Sequence, residues 1–160
     1  MIIGQQLSTK AAATIWQRLR NAALADHTRV IDFFHDNNFD KLRQCGVSGN
    51  KTKALLAIKT AVDEGVLNSR KLGRLSSEQR SAKLLEIHGV GRWTSDMAAI
   101  FFFADENIWP DGDLSVVKVF DRYLNKRQSN NPLRYVENFA PHRSYLAYYM
   151  WHLADAEPTQ

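Results

Sequence analysis

Cysteine is almost missing from this chain. Cys45 stands alone, so no disulfide can close within it and no four-thiolate zinc or iron–sulfur site can form. Long apolar runs are missing too, and none approaches the ~20 residues of a membrane span. The opening Met1-Ile2-Ile3-Gly4-Gln5-Gln6 has neither the basic start nor the long apolar stretch of a secretory signal. These absences lead us to expect an intracellular protein with no membrane contact. The five histidines, His27, His35, His88, His142 and His152, show no metal-ligand spacing and read as surface or core residues. No stretch alternates in the manner of a strand, and Val116-Val117 falls inside a helical period. A solenoid needs an internal repeat, and none is present.

What is there suffices for a folded domain. Apolar residues make up 44% of 160, with a mean hydropathy of −0.38, which allows one real core. The net charge is +4, a mild sign of a polyanionic partner. Its distribution says more. Residues 1–40 carry four basic and four acidic side chains, residues 41–92 eleven and four, and residues 93–160 six and nine. A basic middle third suits a phosphate backbone, where it would supply affinity and orientation rather than sequence reading. A solvated helix face would look the same.

Helical periodicity runs through nearly the whole chain. Ser8 is placed to cap a helix over residues 9–24, with Ala12, Ile15, Trp16 and Leu19 on one face. Thr28 opens a short helix that ends near Asn37-Asn38, and another short turn runs from Phe39 to Gln44, stopped by Gly46. Ser48 caps a helix to about Glu64, with Leu55, Ile58 and Val62 inward and Gly65 as terminator. Ser76 with Gln79 has the pattern of a capping box and opens a helix to about Ile87. Further helices are expected over residues 92–103, 114–124 and 143–154. An acidic loop over 105–113 and a polar surface loop over 127–132 separate them. The expected fold is all-α, a bundle of short helices in a single domain over residues 1–160.

His88-Gly89-Val90-Gly91 joins two of these helices. Two glycines so placed allow positive φ and close backbone approach, and the free N–H groups that open the second helix suit a phosphate. Read alone, the pattern also fits an ordinary tight corner. Twenty-two residues beyond Gly91 lies Asp113, in Trp109-Pro110-Asp111-Gly112-Asp113-Leu114. A carboxylate there could serve chemistry or cap the next helix, and Asp111 is its close competitor. Cys45 reads as a small buried residue.

Together these blocks resemble the helix-hairpin-helix superfamily of DNA glycosylases, and within it the AlkA type of 3-methyladenine DNA glycosylase. Ile3-Gly4-Gln5-Gln6-Leu7-Ser8 is similar to the family's opening block. Gly89-Val90-Gly91-Arg92-Trp93-Thr94 is similar to its hairpin, which would span about 78–103. Phe139-Ala140-Pro141-His142-Arg143-Ser144-Tyr145 through Trp151 is similar to its C-terminal signature. The chain departs from the pattern where His88 replaces the usual proline, and it starts almost at the opening block, whereas relatives carry at least one helix before it.

The resemblance implies a monofunctional enzyme of base excision repair. It would flip an alkylated base, such as 3-methyladenine or 7-methylguanine, from duplex DNA and hydrolyse its glycosidic bond. Asp113 would be the catalytic carboxylate. Trp93, Trp151 and Tyr145 would line the base pocket, since electron-rich rings attract a cationic purine; core packing is the alternative for the tryptophans. Gln6 and Leu7 would wedge into the gap left by the flipped base. Gly89, Val90, Gly91, Arg92 and Thr94 would hold the DNA backbone. A sodium or potassium ion could sit on the carbonyls of Leu85, Ile87 and Val90, and no other cofactor is implied. Trp93 stands where bifunctional relatives carry a lysine nucleophile, so no lyase step is expected. The partner would be double-stranded DNA containing damaged bases, bound by a monomer. A non-catalytic reader of damaged DNA, a glycosylase for another lesion and an inactive shortened homologue are the competing readings.

Overall fold

The computed structural model describes residues 1–125 and 132–156. Among these residues there is no strand, and ten α-helices carry the fold. They run α1 Thr9–Ala25, α2 Val30–Phe33, α3 Phe39–Gln44, α4 Gly49–Asp63, α5 Ser69–Leu72, α6 Ser77–Leu85, α7 Arg92–Phe101, α8 Leu114–Asn125, α9 Pro132–Glu137 and α10 Arg143–Ala156. The all-α expectation holds. The chain divides into two compact units, Met1–Gly91 and Arg92–Gln160.

In the first unit, helix starts follow the capping signals. Ser8 Oγ accepts from Ala11 N, and Ser48 Oγ accepts from Lys51 N. Ser76 and Gln79 form the reciprocal capping box in full. Thr28 does not open a helix. Its N–H and hydroxyl both donate to the Ala23 carbonyl and so close α1, and α2 begins after Arg29. The core gathers Ile2, Ile3, Leu19, Ala23, Phe33, Phe34, Leu42, Val47, Ala54 and Leu55. Cys45 is buried among them as a free thiol, and burial pushes its pKa up, as for an inert packing residue.

Two inward assignments are corrected. Trp16 is 43% exposed, because the buried stripe of α1 follows Ile15, Leu19 and Ala23 at four-residue spacing. Val62 is exposed and Ala61 buried instead, in phase with Leu55 and Ile58.

In the second unit, α8 packs on α10. Val116, Val119, Phe120, Val136, Leu146, Ala147 and Met150 form the core, with Trp109 and Trp151 packed against it. Two short helices escaped the sequence reading: α5, capped by Asn68, and α9. The expected polar loop over 127–132 lies outside the described residues up to 131, and its last residue, Pro132, is the first of α9.

Candidate functional site

Asp113 precedes α8 and is 9% exposed. Its Oδ1 accepts from Ser115 N and Val116 N, both at 3.1 Å. Its Oδ2 accepts from Trp93 Nε1 at 2.8 Å. The capping reading and the catalytic reading are therefore compatible: one oxygen closes the helix start and the other meets the first turn of α7. A carboxylate offers about four acceptor sites, and these three bonds leave one for a water or for developing positive charge. Asp111 is exposed, and the helix cap falls to Asp113 alone.

The loop that delivers Asp113 is fastened from α10. Ser144 is buried; its hydroxyl donates to the Asp105 carbonyl at 2.6 Å and accepts from Ile108 N at 2.9 Å. Ser144 N donates to the Glu106 carbonyl. Arg143 Nε donates to Asn107 Oδ1 at 2.8 Å. Pro110 is fully buried, and Trp109 lies 4.9 Å from Phe120 between ring centres. The Arg143-Ser144 pair of the C-terminal block thus works as a clamp on the acidic loop. Sequence reasoning did not assign it, because the partner atoms are mostly backbone carbonyls and leave no side-chain signal.

Of the three proposed pocket aromatics, Trp93 is the one hydrogen-bonded to Asp113. Trp151 packs on the second core with its ring 5.4 Å from Phe101. Tyr145 is exposed and its hydroxyl donates to Glu106 Oε1 at 3.2 Å. With Phe101, Asp105, Glu106 and Tyr148 it borders a cavity of about 330 Å³.

At the start of α7, Arg92 is exposed and its Nε donates to Asp96 Oδ1 at 3.1 Å. Thr94 is only 6% exposed, so its side chain is not presented to solvent. Asp96 is buried, and among the described residues its Oδ2 has no hydrogen-bond partner. Burial raises its pKa, against the lowering effect of Arg92.

In the first unit, Gly89 and Gly91 behave differently. Gly89 has φ +82°, and a Cβ there would lie 2.3 Å from Ala54 Cβ. Gly91 shows no positive φ and would find nothing within 4 Å. The positive φ and close approach that such glycines allow are used only at Gly89. Val90 packs against the first core, and its N–H donates to the Ile87 carbonyl at 3.0 Å. Gln6 and Leu7 are both exposed, and Gln6 has φ +55°.

The carbonyls of Leu85, Ile87 and Val90 follow the C-terminal end of α6, where helix carbonyls lack intrahelical partners and carry partial negative charge. Ile87 O accepts one bond and keeps a second lone pair. This donor set of neutral oxygens fits a monovalent cation. Among the described residues no cluster of three histidine, cysteine or carboxylate side chains could hold a metal. No helix there is long and apolar enough to cross a membrane.

Asp113 thus joins a helix cap to an indole hydrogen bond within an all-α fold. No protein-family model matches the chain. The DNA-3-methyladenine glycosylase 1 of Schizosaccharomyces pombe is 32% identical over 155 residues, which cover 94% of this chain and 68% of that protein. The structure of the same yeast's 3-methyladenine DNA glycosylase, Mag1, in complex with abasic DNA superposes with a TM-score of 0.84 at 30% identity, covering 99% of this chain and 80% of the other. A Bacillus halodurans DNA-3-methyladenine glycosidase shares the fold, with a TM-score of 0.81 at 23% identity over 97% of this chain and 72% of the other. The chain belongs to the DNA-3-methyladenine glycosylase family.

Proposed function

We propose that this chain is a monofunctional DNA glycosylase of base excision repair that releases alkylated bases, 3-methyladenine and 7-methylguanine among them, from duplex DNA. The observation that carries the reading is Asp113, held by three donors with one acceptor site left over, in a chain of this family. As the glycosidic bond breaks, its electron pair leaves with the base and positive charge develops on the sugar. Asp113 stabilises that charge and takes a proton from the water that attacks C1′. An alkylated base that is already cationic departs neutral, so no strong acid need protonate it. Trp93 fixes the carboxylate, and its ring, with those of Trp151 and Tyr145, offers faces for the flipped base.

The connection Gly89–Val90–Gly91 and the backbone and Arg92 at the start of α7 bind the DNA backbone. When bound, a monovalent cation on the carbonyls of Leu85, Ile87 and Val90 would add positive charge toward a phosphate. The partner is double-stranded DNA with damaged bases, met by a monomer in the cell's DNA compartment. Trp93 cannot form a Schiff base, so the nucleophile is water and no strand cleavage follows.

The test is release of free bases from methylated duplex DNA by the parent and by Asp113→Asn. The parent should release 3-methyladenine or 7-methylguanine. The variant should lose roughly a hundredfold to a thousandfold in rate yet still bind DNA. Borohydride should trap no covalent adduct. Binding without release by the parent would instead favour a non-catalytic reader, or a glycosylase for oxidised or deaminated bases.

A further inference from the structure

Lys51 occupies an unlikely place for an ammonium. It lies in the first turn of α4, where the helix dipole disfavours a cation. It is half-buried, and desolvation lowers its pKa. What holds it there is a pair of backbone carbonyls: Nζ donates to Ile3 O at 3.0 Å and to Gln5 O at 2.6 Å. These two oxygens lie at the start and in the middle of the bend that carries Gln6. The turn is anchored on one side by the buried Ile2 and Ile3 and on the other by the Ser8 cap of α1. Leu7 N closes it onto the Gly4 carbonyl at 3.1 Å. At its apex Gln6 holds a left-handed backbone, uncommon for a residue with a side chain, and that side chain is exposed.

A left-handed glutamine facing solvent has no packing role to explain its strain, and such outliers persist only where their surroundings enforce them. Lys51 binds the two carbonyls that lead into this residue, Ile3 O and Gln5 O, and so ties the N-terminal arm of the turn to α4. We propose that Lys51 is a positioning residue for base flipping, clamping Ile3 and Gln5 so that Gln6 stands preset to fill the gap left by the extruded base. This rests on the glycosylase reading above. A preset wedge lowers the entropy cost of ordering that side chain on DNA. It therefore acts on the opening of a paired base and not on the chemistry at the sugar.

The experiment compares Lys51→Met with the parent in single-turnover base release. One duplex carries the methylated base opposite its normal partner; the other carries it opposite an abasic site, where unpairing is already done. Lys51→Met should slow release from the paired duplex on the order of tenfold, the worth of a lost charge-assisted bond, with a much smaller loss on the unpaired one. In a Gln6→Ala background it should add no further loss, because coupled residues are not additive. The fluorescence of 2-aminopurine beside the lesion reports opening without requiring bond cleavage, and its rise should weaken in Lys51→Met. Should melting show that variant unfolded, Lys51→Gln, which keeps a neutral donor, takes its place.

Equal losses on both duplexes, or an undiminished loss in the Gln6→Ala background, would make Lys51 merely structural and overturn the proposal. So would an unchanged rate and an unchanged fluorescence rise. If the parent itself releases no base, the glycosylase reading fails. The fluorescence comparison then still decides Lys51.

Discussion

At the scale of single residues, the pairing of Trp93 with Asp113 is the most informative contact. Its indole N–H meets Asp113 Oδ2, so the tryptophan orients the carboxylate. Trp93→Phe keeps a ring but loses that donor. It should lower kcat by roughly tenfold to a hundredfold, the equivalent of about 1.5–3 kcal/mol for a bond to a charged group. Binding to abasic DNA should change little; single-turnover release and a gel-shift assay separate the two. Asp96 makes a different prediction. Its folded-state pKa is raised by burial, so the folded protein holds that proton more readily than the unfolded chain. The associated stability is full below the ordinary value of 3.8 and is lost as pH rises through the folded value. Asp96→Asn has no such proton to lose. The difference in Tm between variant and parent should therefore move in the variant's favour as pH rises from about 4 toward neutrality. A difference that stays flat would place the carboxylate in a wetter setting than its burial suggests.

At the scale of elements, the two hairpin glycines part company. Gly89→Ala forces a side chain onto a left-handed backbone and into Ala54. It should destabilise by roughly 3 kcal/mol, on the order of 10 °C in Tm. Gly91→Ala meets open space and should stay within about 0.5 kcal/mol of the parent. Melting both variants checks this, and a tolerated Gly89→Ala would mean the connection does not sit against α4.

That contrast also marks how far the sequence could be read. Ser8, Ser48 and the Ser76–Gln79 box announced their helices because capping is local chemistry between residues two or three apart. The core faces of α1 and α4 were read correctly at Leu19, Leu55 and Ile58, but Trp16 and Val62 were misplaced by one position. A hydrophobic side chain at the edge of a stripe carries no mark of which side it falls on. Asp113 could be singled out by spacing and resemblance. The Ser144 clamp, the Lys51 clamp and the asymmetry between Gly89 and Gly91 could not, because each depends on a backbone atom or a neighbour far away in sequence.

At the scale of the whole molecule, the basic middle third is less available than its count suggests. Lys41 pairs with Asp26, Lys59 with Asp63, Arg92 with Asp96, and Arg43 and Lys51 donate to carbonyls. Arg80 is buried and donates to the Leu72 carbonyl. Besides Arg92, which stays exposed while paired with Asp96, five cations then remain for phosphates in that region: Lys53, Arg70, Lys71, Arg74 and Lys83. Their share of the slope of log K against log salt should not exceed about 4.5 in magnitude. Lys41→Met and Lys59→Met should leave the slope of duplex binding unchanged. A drop of about one in either variant would mean that its ion pair opens on DNA.

One helix also turns out to be a ruler. Lys51 and Ala54 lie three residues apart on α4, about 4.5 Å along its axis. The first grips the turn that carries Gln6, and the second seats Gly89. The Gln6 turn and the Gly89 corner are thus referenced to the same rigid rod. Whatever shifts α4 carries both together and preserves their separation, whereas a lengthened connection over 66–76 would leave that gauge untouched.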